Sequence, residues 1–510
     1  MKKYHLYIYI VALGMIVGAT SCDDYLKETS EDLLIPQKVE EFHSLLVGDG
    51  YPNSFTNDVM WMDLLTDDVE VSASANTNST QAEADDNVFL PVGKGAFTWA
   101  QDIEFYDANY AKPYQNRYKN IMACNTIIEN KGSMIGDSAS IYSCIAQAYA
   151  LRAMNYFYLV NWYGAPYNKA TADKDMGVIL RLKSEMVRDT PKRASVAAVY
   201  KQINSDLEQA QQLFDKAKKT NNLYLMNQKA VSLLRCRVAL FMENWDDVIT
   251  YGAKLADDDF NLYDLSSLSK EELVRKKFSF ISSKNPEAVF LFGGRIVTTN
   301  DYMDNLKLIT GAGYAPSQTR KDDLINSYAV GDNRIYAFFC QNDTEYDDSK
   351  KKYTVYEDYR HLPYKHHSFE SYSQALRTSE ALLNMAEAYV HKGNSAEAIN
   401  LLNLLRKKRF TSDAYQPLTV EEFSSKEGVL QAVRVERRRE LCFEETHRWT
   451  DLRRYGMPQI EHIFYAAKKA TPETYILKSG DKNYTLELPY SELNYNSAVE
   501  RTNRRVIQAQ

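Results

Sequence analysis

Two apolar helical stripes joined by a tight turn near residue 393 constrain this chain more than any other feature. Leu382, Leu383, Met385, Ala386, Ala388 and Tyr389 recur at the spacing of one helix face. Lys392-Gly393-Asn394 interrupts the pattern, and Asn394 is a residue type that caps a helix start by accepting a free backbone N–H. Ala396, Ala398, Ile399, Leu402 and Leu405 then resume the apolar face. Alanines at contact positions let two helices approach closely, so 375–409 reads as a helical hairpin. The same grammar recurs upstream. Tyr118, Ile121, Met122, Asn125 and Ile128 mark one helix, and Ser195 to Phe214 another. Ile141 to Tyr163 is a long helix rich in small and aromatic residues, ended by Gly164 and Pro166. Asn227–Met242 and Trp245–Leu255 form a second hairpin over Glu243-Asn244. The expected fold class is mostly α.

This pattern of small residues, a turn glycine and an alanine-rich second helix resembles the tetratricopeptide repeat, whose unit is about 34 residues. Three or four such pairs are present, grouped at about 114–257 and 375–454, but not in tandem. Irregular insertions at about 50–110 and 260–345 are rich in Gly, Asn, Asp and Tyr. Long irregular segments on a rigid scaffold are where binding concentrates. The low-complexity stretch from Ser72 to Asp86 reads as a surface loop.

The N-terminus is a targeting segment. Lys2 and Lys3 precede an apolar run from Tyr4 to Val17, then the small residues Gly18-Ala19-Thr20-Ser21, then Cys22. A cysteine directly after small residues marks a lipoprotein signal, with 1–21 removed, Cys22 carrying lipid and 22–35 acting as a tether to a body of 36–510. The position three before the cysteine is Ala19 where leucine is usual. A net charge of −7 argues against nucleic acid, which needs a basic face. The body has no apolar run long enough to span a bilayer. Cys124, Cys144, Cys236, Cys340 and Cys442 are odd in number and lack a CxxC pair, so they read as small buried hydrophobes rather than a disulfide framework.

A long motif follows the last hairpin. Arg434, Arg438, Glu440, Leu441, Phe443, Glu444, Arg448, Trp449, Asp451, Leu452 and Arg454 resemble the C-terminal signature of SusD/RagB lipoproteins. Ala386-Glu387-Ala388-Tyr389, Leu151-Arg152-Ala153 and Cys22-Asp23-Asp24-Tyr25-Leu26 are similar to that family as well. The resemblance implies a SusD-like helical scaffold anchored on the outer membrane of a Bacteroidetes-type cell. It implies capture of an oligosaccharide, or in some relatives a peptide, and delivery to a SusC-type TonB-dependent transporter.

Physically, Glu436, Glu440 and Glu444 lie four apart, interleaved with Arg437, and Arg448 follows, so pairing along the helix is possible. The guanidinium groups are also suited to tying this helix to its neighbours. For ligand contact, sugars call for rigid amphipathic rings beside carboxylates or amides. Trp99, near Gln101 and Asp102, is the first candidate; Tyr106, Tyr302 and Tyr314 follow, with Tyr314 in a glycine-rich loop that could present its ring outward. No catalytic residue, cofactor or metal is assigned. A hydrolase would need two carboxylates across a cleft, and no G-x-S-x-G, H-E-x-x-H or Cys–His signature is present. A pure protein-interaction scaffold would not need Cys22 or an export signal. His361, His366 and His367 cluster without ligand spacing. Asp343, Glu345 and Asp347 alternate as in a calcium loop, but Asp348 and Thr354 stand where its glycine and glutamate belong, so a solvated acidic turn is expected.

Overall fold

The computed structural model describes residues 36–72, 89–185, 190–217, 222–269, 272–273, 279–295, 313–340, 344–347, 352–355, 362–363, 365, 370–466 and 470–510. Its helices of seven residues or more are α1 (Val39–Leu45), α2 (Phe89–Phe97), α3 (Lys112–Glu129), α4 (Ser138–Tyr163), α5 (Val196–Lys216), α6 (Gln228–Phe241), α7 (Trp245–Gly252), α8 (Thr378–His391), α9 (Ser395–Lys407), α10 (Lys426–Leu441) and α11 (His447–Arg454). The architecture is mostly α.

Local chemistry sets the helix starts. Asp137, Ser195, Asn227, Asn394 and Ser425 each accept a hydrogen bond from a first-turn N–H at 3.0–3.2 Å. Asn394 caps α9 as its position after Gly393 implies, and Gly393 turns the chain at φ +82°. α4 is buried on every side from Cys144 to Tyr163. Alanines at 146, 148, 150 and 153 give α3 and α5 room to close on it.

Sequential helices pack on one another from α3 through α7, and α7 packs directly on α8. The two helical stretches, separated by more than a hundred residues in sequence, therefore form one continuous stack. At the join, Gly252 of α7 lies so close to Met385 that a Cβ there would sit 2.6 Å from its side chain. α9 and α10 complete the stack against α8.

The described strands of four residues or more form small antiparallel ladders around this body. β1 (Val69–Ser72) pairs with β3 (Gly313–Pro316), β2 (Ala288–Phe292) with β6 (Gln374–Arg377), β4 (Thr344–Asp347) with β5 (Lys352–Val355), and β7 (Ile460–Phe464) with β8 (Glu473–Leu477). Glu345 and Asp347 lie in the hairpin strand β4, and Asp343 lies outside the described residues. The described part of segment 50–110 is well packed: Phe55, Trp61, Leu64, Leu65 and Phe97 all sit in the core. Cys124, Cys144, Cys236 and Cys442 are free and buried, and burial pushes the Cys144 thiol up to about 12. The side chain of Cys340, His361, His366 and His367, and residues 73–86 of the low-complexity stretch lie outside the described residues.

The arginine–glutamate motif is a buried tertiary network. Glu440 of α10 receives Arg409 (2.8 and 2.9 Å), Arg377 (2.9 Å) and Arg334 (3.1 Å), from three separate segments. Arg377 also holds Glu444 (2.6 and 2.9 Å) and Glu287 (2.6 Å), and Arg409 reaches Glu287 at 2.5 Å. Arg237 of α6 bridges Glu380 of α8 and Glu445 with four contacts of 2.6–2.8 Å. Arg437 binds Asp451, Arg454 binds Glu387, and Arg438 and Arg448 bind Asp68 and Asp67. Pairing along the α10 helix itself is confined to Arg439–Glu436 at 3.3 Å, because the carboxylates are committed elsewhere. Burial alone would raise the Glu440 carboxyl, but Arg409 and Arg377 hold it well below the usual range.

Two outcomes follow. Glu440→Gln leaves buried guanidinium groups under-compensated and should cost about 3–5 kcal/mol, read by urea denaturation at pH 7. The share of wild-type stability that comes from Glu440, Glu436, Glu444 and Glu387 should be constant above about pH 4.3, the unfolded glutamate value, and should fall as pH drops from there toward their depressed folded values, while buried His462 adds an earlier loss as pH falls from about 6.5 toward about 4. Thermal melts from pH 7 to pH 3 measure this.

Candidate functional site: an exposed aromatic strip

The segment after α2 is fixed at its base and exposed at its tip. Trp99 ends the helix in the left-handed region (φ 50°), with its N–H bonded to Ala96 O. Its ring is fully buried, stacks on His462 at 4.3 Å and donates Nε1–H to Leu65 O at 2.8 Å. Phe97 covers the other face of His462 at 4.1 Å, and burial brings that imidazole down to about 4. Asn483 donates to Trp99 O (2.9 Å) and Arg504 to Ala100 O (2.9 Å). The expectation that Trp99 offers its ring to a ligand does not match this position, because its ring and its N–H are used by the core. Tyr314 is corrected in the same way. In β3 it is buried, rests on Phe97 at 5.4 Å and donates its hydroxyl to Leu90 O at 2.7 Å. Tyr302 and Cys22 lie outside the described residues.

Beyond the base, residues 102–107 make a compact turn pinned by buried Ile103. Asp102 Oδ1 accepts from Phe105 N at 3.1 Å, and Tyr106 N donates to Ile103 O at 2.9 Å. Phe105 is 78 % exposed and Tyr106 42 %. Their rings meet edge to face, 5.5 Å apart. Tyr106 lies flat over Gly95 of α2, where a Cβ would come within 2.7 Å of the tyrosine ring. Gly95 is therefore what lets Tyr106 lie down.

Tyr490, 41 % exposed, extends the strip from the far end of the chain. Its backbone N–H donates to Glu104 at 2.7 Å and its hydroxyl to Asp102. Near Tyr106, Tyr475 donates to Glu473 at 2.6 Å, and Glu473 pairs with Lys94 at 2.9 Å. Partial burial, then the neighbouring Asp102 charge, raise the Glu104 carboxyl. The result is a strip of exposed rings, Phe105 and Tyr106 in contact and Tyr490 bonded to the same turn, with the carboxylates Asp102, Glu104 and Glu473 nearby. Such a strip can stack on the C–H faces of a ligand while the carboxylates accept hydrogen bonds from hydroxyls.

Of the sequence candidates among the described residues, only Tyr106 lies on this strip. Phe105 and Tyr490 were not anticipated. Phe105 carries a signal, an apolar ring inside the acidic run Asp102-Ile103-Glu104-Phe105-Tyr106-Asp107. Tyr490 carries none, since its partner is 388 residues away. Elsewhere, Glu380, Glu445 and His447 are close enough together to hold a cation. Arg237 already spans both carboxylates, so the cluster belongs to the ion-pair network. No helix among the described residues is long and apolar enough to cross a membrane.

Comparison with known proteins agrees with this architecture. The model of the SusD family matches residues 285–505, and a model described as "Starch-binding associating with outer membrane" matches residues 24–240. SusD-like protein P2 of Formosa agariphila is 24 % identical, with 99 % of each chain covered. A SusD superfamily protein from Bacteroides thetaiotaomicron superposes with a TM-score of 0.65 at 18 % identity, covering 92 % of this chain and 100 % of the other. A SusD-like carbohydrate binding protein from Bacteroides vulgatus gives 0.63 at 19 %, covering 92 % and 98 %. With two family models that between them reach from residue 24 to residue 505, and the buried arginine–glutamate motif at its centre, the chain belongs to the SusD/RagB family.

Proposed function

We propose that this protein is a surface glycan-binding lipoprotein that captures an oligosaccharide on the Tyr490–Phe105–Tyr106 strip and hands it to a SusC-type TonB-dependent transporter. One observation carries the reading: large rings held in the open by a rigid base, beside carboxylates. Phe105 at 78 % exposure gains nothing for folding, whereas a sugar face would cover it. The carbohydrate named for the Bacteroides vulgatus relative and the starch named in the N-terminal family description point the same way.

Binding without hydrolysis is the part of this reading that the strip's shape supports. Asp102 and Glu104 sit on one turn, and each accepts a hydrogen bond from Tyr490. Paired carboxylates for glycoside hydrolysis instead flank the scissile bond from opposite sides. Export and anchoring rest on the N-terminus. Residues 1–21 direct export, Cys22 carries the lipid that holds the protein in the outer membrane, 22–35 form the tether, and 36–510 form the SusD-like body.

In calorimetric titration of the chain from Asp23 onward against plant and host polysaccharides, one glycan should bind saturably without release of reducing sugar. Tyr106→Ala and Phe105→Ala should each weaken it about five- to tenfold, the loss of roughly 1 kcal/mol of ring contact. Gly95→Ala should weaken it as well, because the new Cβ would meet Cβ and Cγ of Tyr106 and displace the turn, with some loss of melting temperature. Release of sugar, or binding indifferent to all three substitutions, would refute the reading. In cells, Cys22→Ala should abolish incorporation of labelled palmitate and move the protein from the membrane to the soluble fraction.

A further inference from the structure

A second concavity adjoins the strip. It is a groove of about 500 Å³ between α3, residues 179–185 and the single turn Tyr490–Leu493, within the roughly 300–1,000 Å³ that holds a small ligand. Its floor is apolar and aromatic: Tyr114 and Tyr118, with rings 4.7 Å apart, Ile179 and partly exposed Met122. Gln115, Ser491 and Glu492 form one wall, and Lys183 stands on the other.

That second wall is preformed. Tyr118 donates to Ile179 O at 2.8 Å, Tyr156 to Arg181 O at 2.6 Å, and Asn125 to Arg181 O and Lys183 O at 3.0 Å each. Arg152 in turn fixes the Asn125 carbonyl at 2.8 Å. A groove held open by so many directed bonds does not close when empty, and its polar rim is spaced around an apolar floor.

The turn Tyr490–Leu493 belongs to both features. Tyr490 lies on the strip, and the next two residues, Ser491 and Glu492, line the groove. Gln115 of α3 donates to Ser491 Oγ at 3.1 Å, joining the wall to the floor. Strip and groove are thus joined through one turn, whose first residue bears a ring of the strip and whose next two line the groove.

We infer that the groove is a second subsite for the same saccharide, so that the protein selects oligomers over single sugars and disaccharides. This rests on the strip being a sugar surface. The open strip covers one face of a ring or two, whereas the groove encloses the sugars that follow, stacking them on Tyr118 and holding their hydroxyls at Glu492, Gln115 and Lys183.

The test uses malto-, cello- and laminari-oligosaccharides of two to six sugars, titrated into the wild type and into Met122→Trp, which fills the groove from an exposed helix position. In the series that binds, the hexasaccharide should bind about tenfold tighter than the disaccharide, a gain equal to one further ring stack. Met122→Trp should erase that advantage and leave disaccharide affinity unchanged. Independently, with methyl-labelled methionine, the Met122 resonance of the wild type should move with hexasaccharide and not with disaccharide. Equal affinities across lengths, or a length preference that survives Met122→Trp with Met122 unmoved, would overturn the subsite while leaving the strip intact. Failure of every series to bind would overturn the strip reading and the groove with it.

Discussion

The structure depends on Glu440. Its two oxygens receive guanidinium groups from a helical turn at 334, from the end of β6 at 377 and from the chain just past α9 at 409. Each of those arginines has another acidic partner, so the charges form a closed mesh. Isolated ions in such a place would be ruinous, and removing any one member leaves the others unpaired and dry. The mesh is also directional. Planar, forked donors accept only a narrow set of arrangements, so it specifies how β2, β6, α8, α9 and α10 meet as well as how tightly.

This explains how a chain with two separated helical stretches becomes one body. Apolar packing between α7 and α8 is permissive, because small residues slide past one another at little cost. Arg237 of α6 gripping Glu380 of α8 and Glu445 beyond α10 removes that freedom. Rigidity then passes outward. Arg448 and Arg438 hold the Asp67–Asp68 corner, Leu65 beside it receives the Trp99 indole, and Trp99 seats the turn that lifts Phe105 and Tyr106 into the open. The strip is presented by a stiff support, which lowers the entropy a ligand must remove on binding.

Much of the fold was legible because its signals are local. The Gly393-Asn394 turn, the cap at Ser195 and the Ala-rich faces of α4 and α9 announce helices within a few residues, and the 434–454 motif announces the family. Along α10, the spacing of glutamates and arginines allows pairing within the helix and suits ties to neighbouring helices; ties to other segments are what form, but their partners, Arg334, Arg377 and Arg409, are not written in the spacing. Spacing along a chain carries no information about what other segments bring. The site suffered from the same gap. Trp99 and Tyr314 sit in the kind of irregular, glycine-bearing sequence that exposes rings, and both are core. Their burial is decided by His462, Leu65 and Leu90, none a near neighbour in sequence. Tyr106 and Phe105 differ only in that the Asp102 turn carries them outward and Gly95 leaves room for Tyr106 to lie down.

The bond between Tyr490 and Asp102 has a consequence in time as well as in space. Residues 102–106 and the distant Tyr490 share one exposed aromatic strip, and Arg504 fastens the segment after it to the carbonyls of Ala100, Asn483 and Thr485. A nascent chain still on its ribosome has the turn at 102–106 but neither Tyr490 nor that fastening. The strip proposed to bind ligand is therefore assembled late, once the segment around residues 490–504 has joined the turn at 102–106.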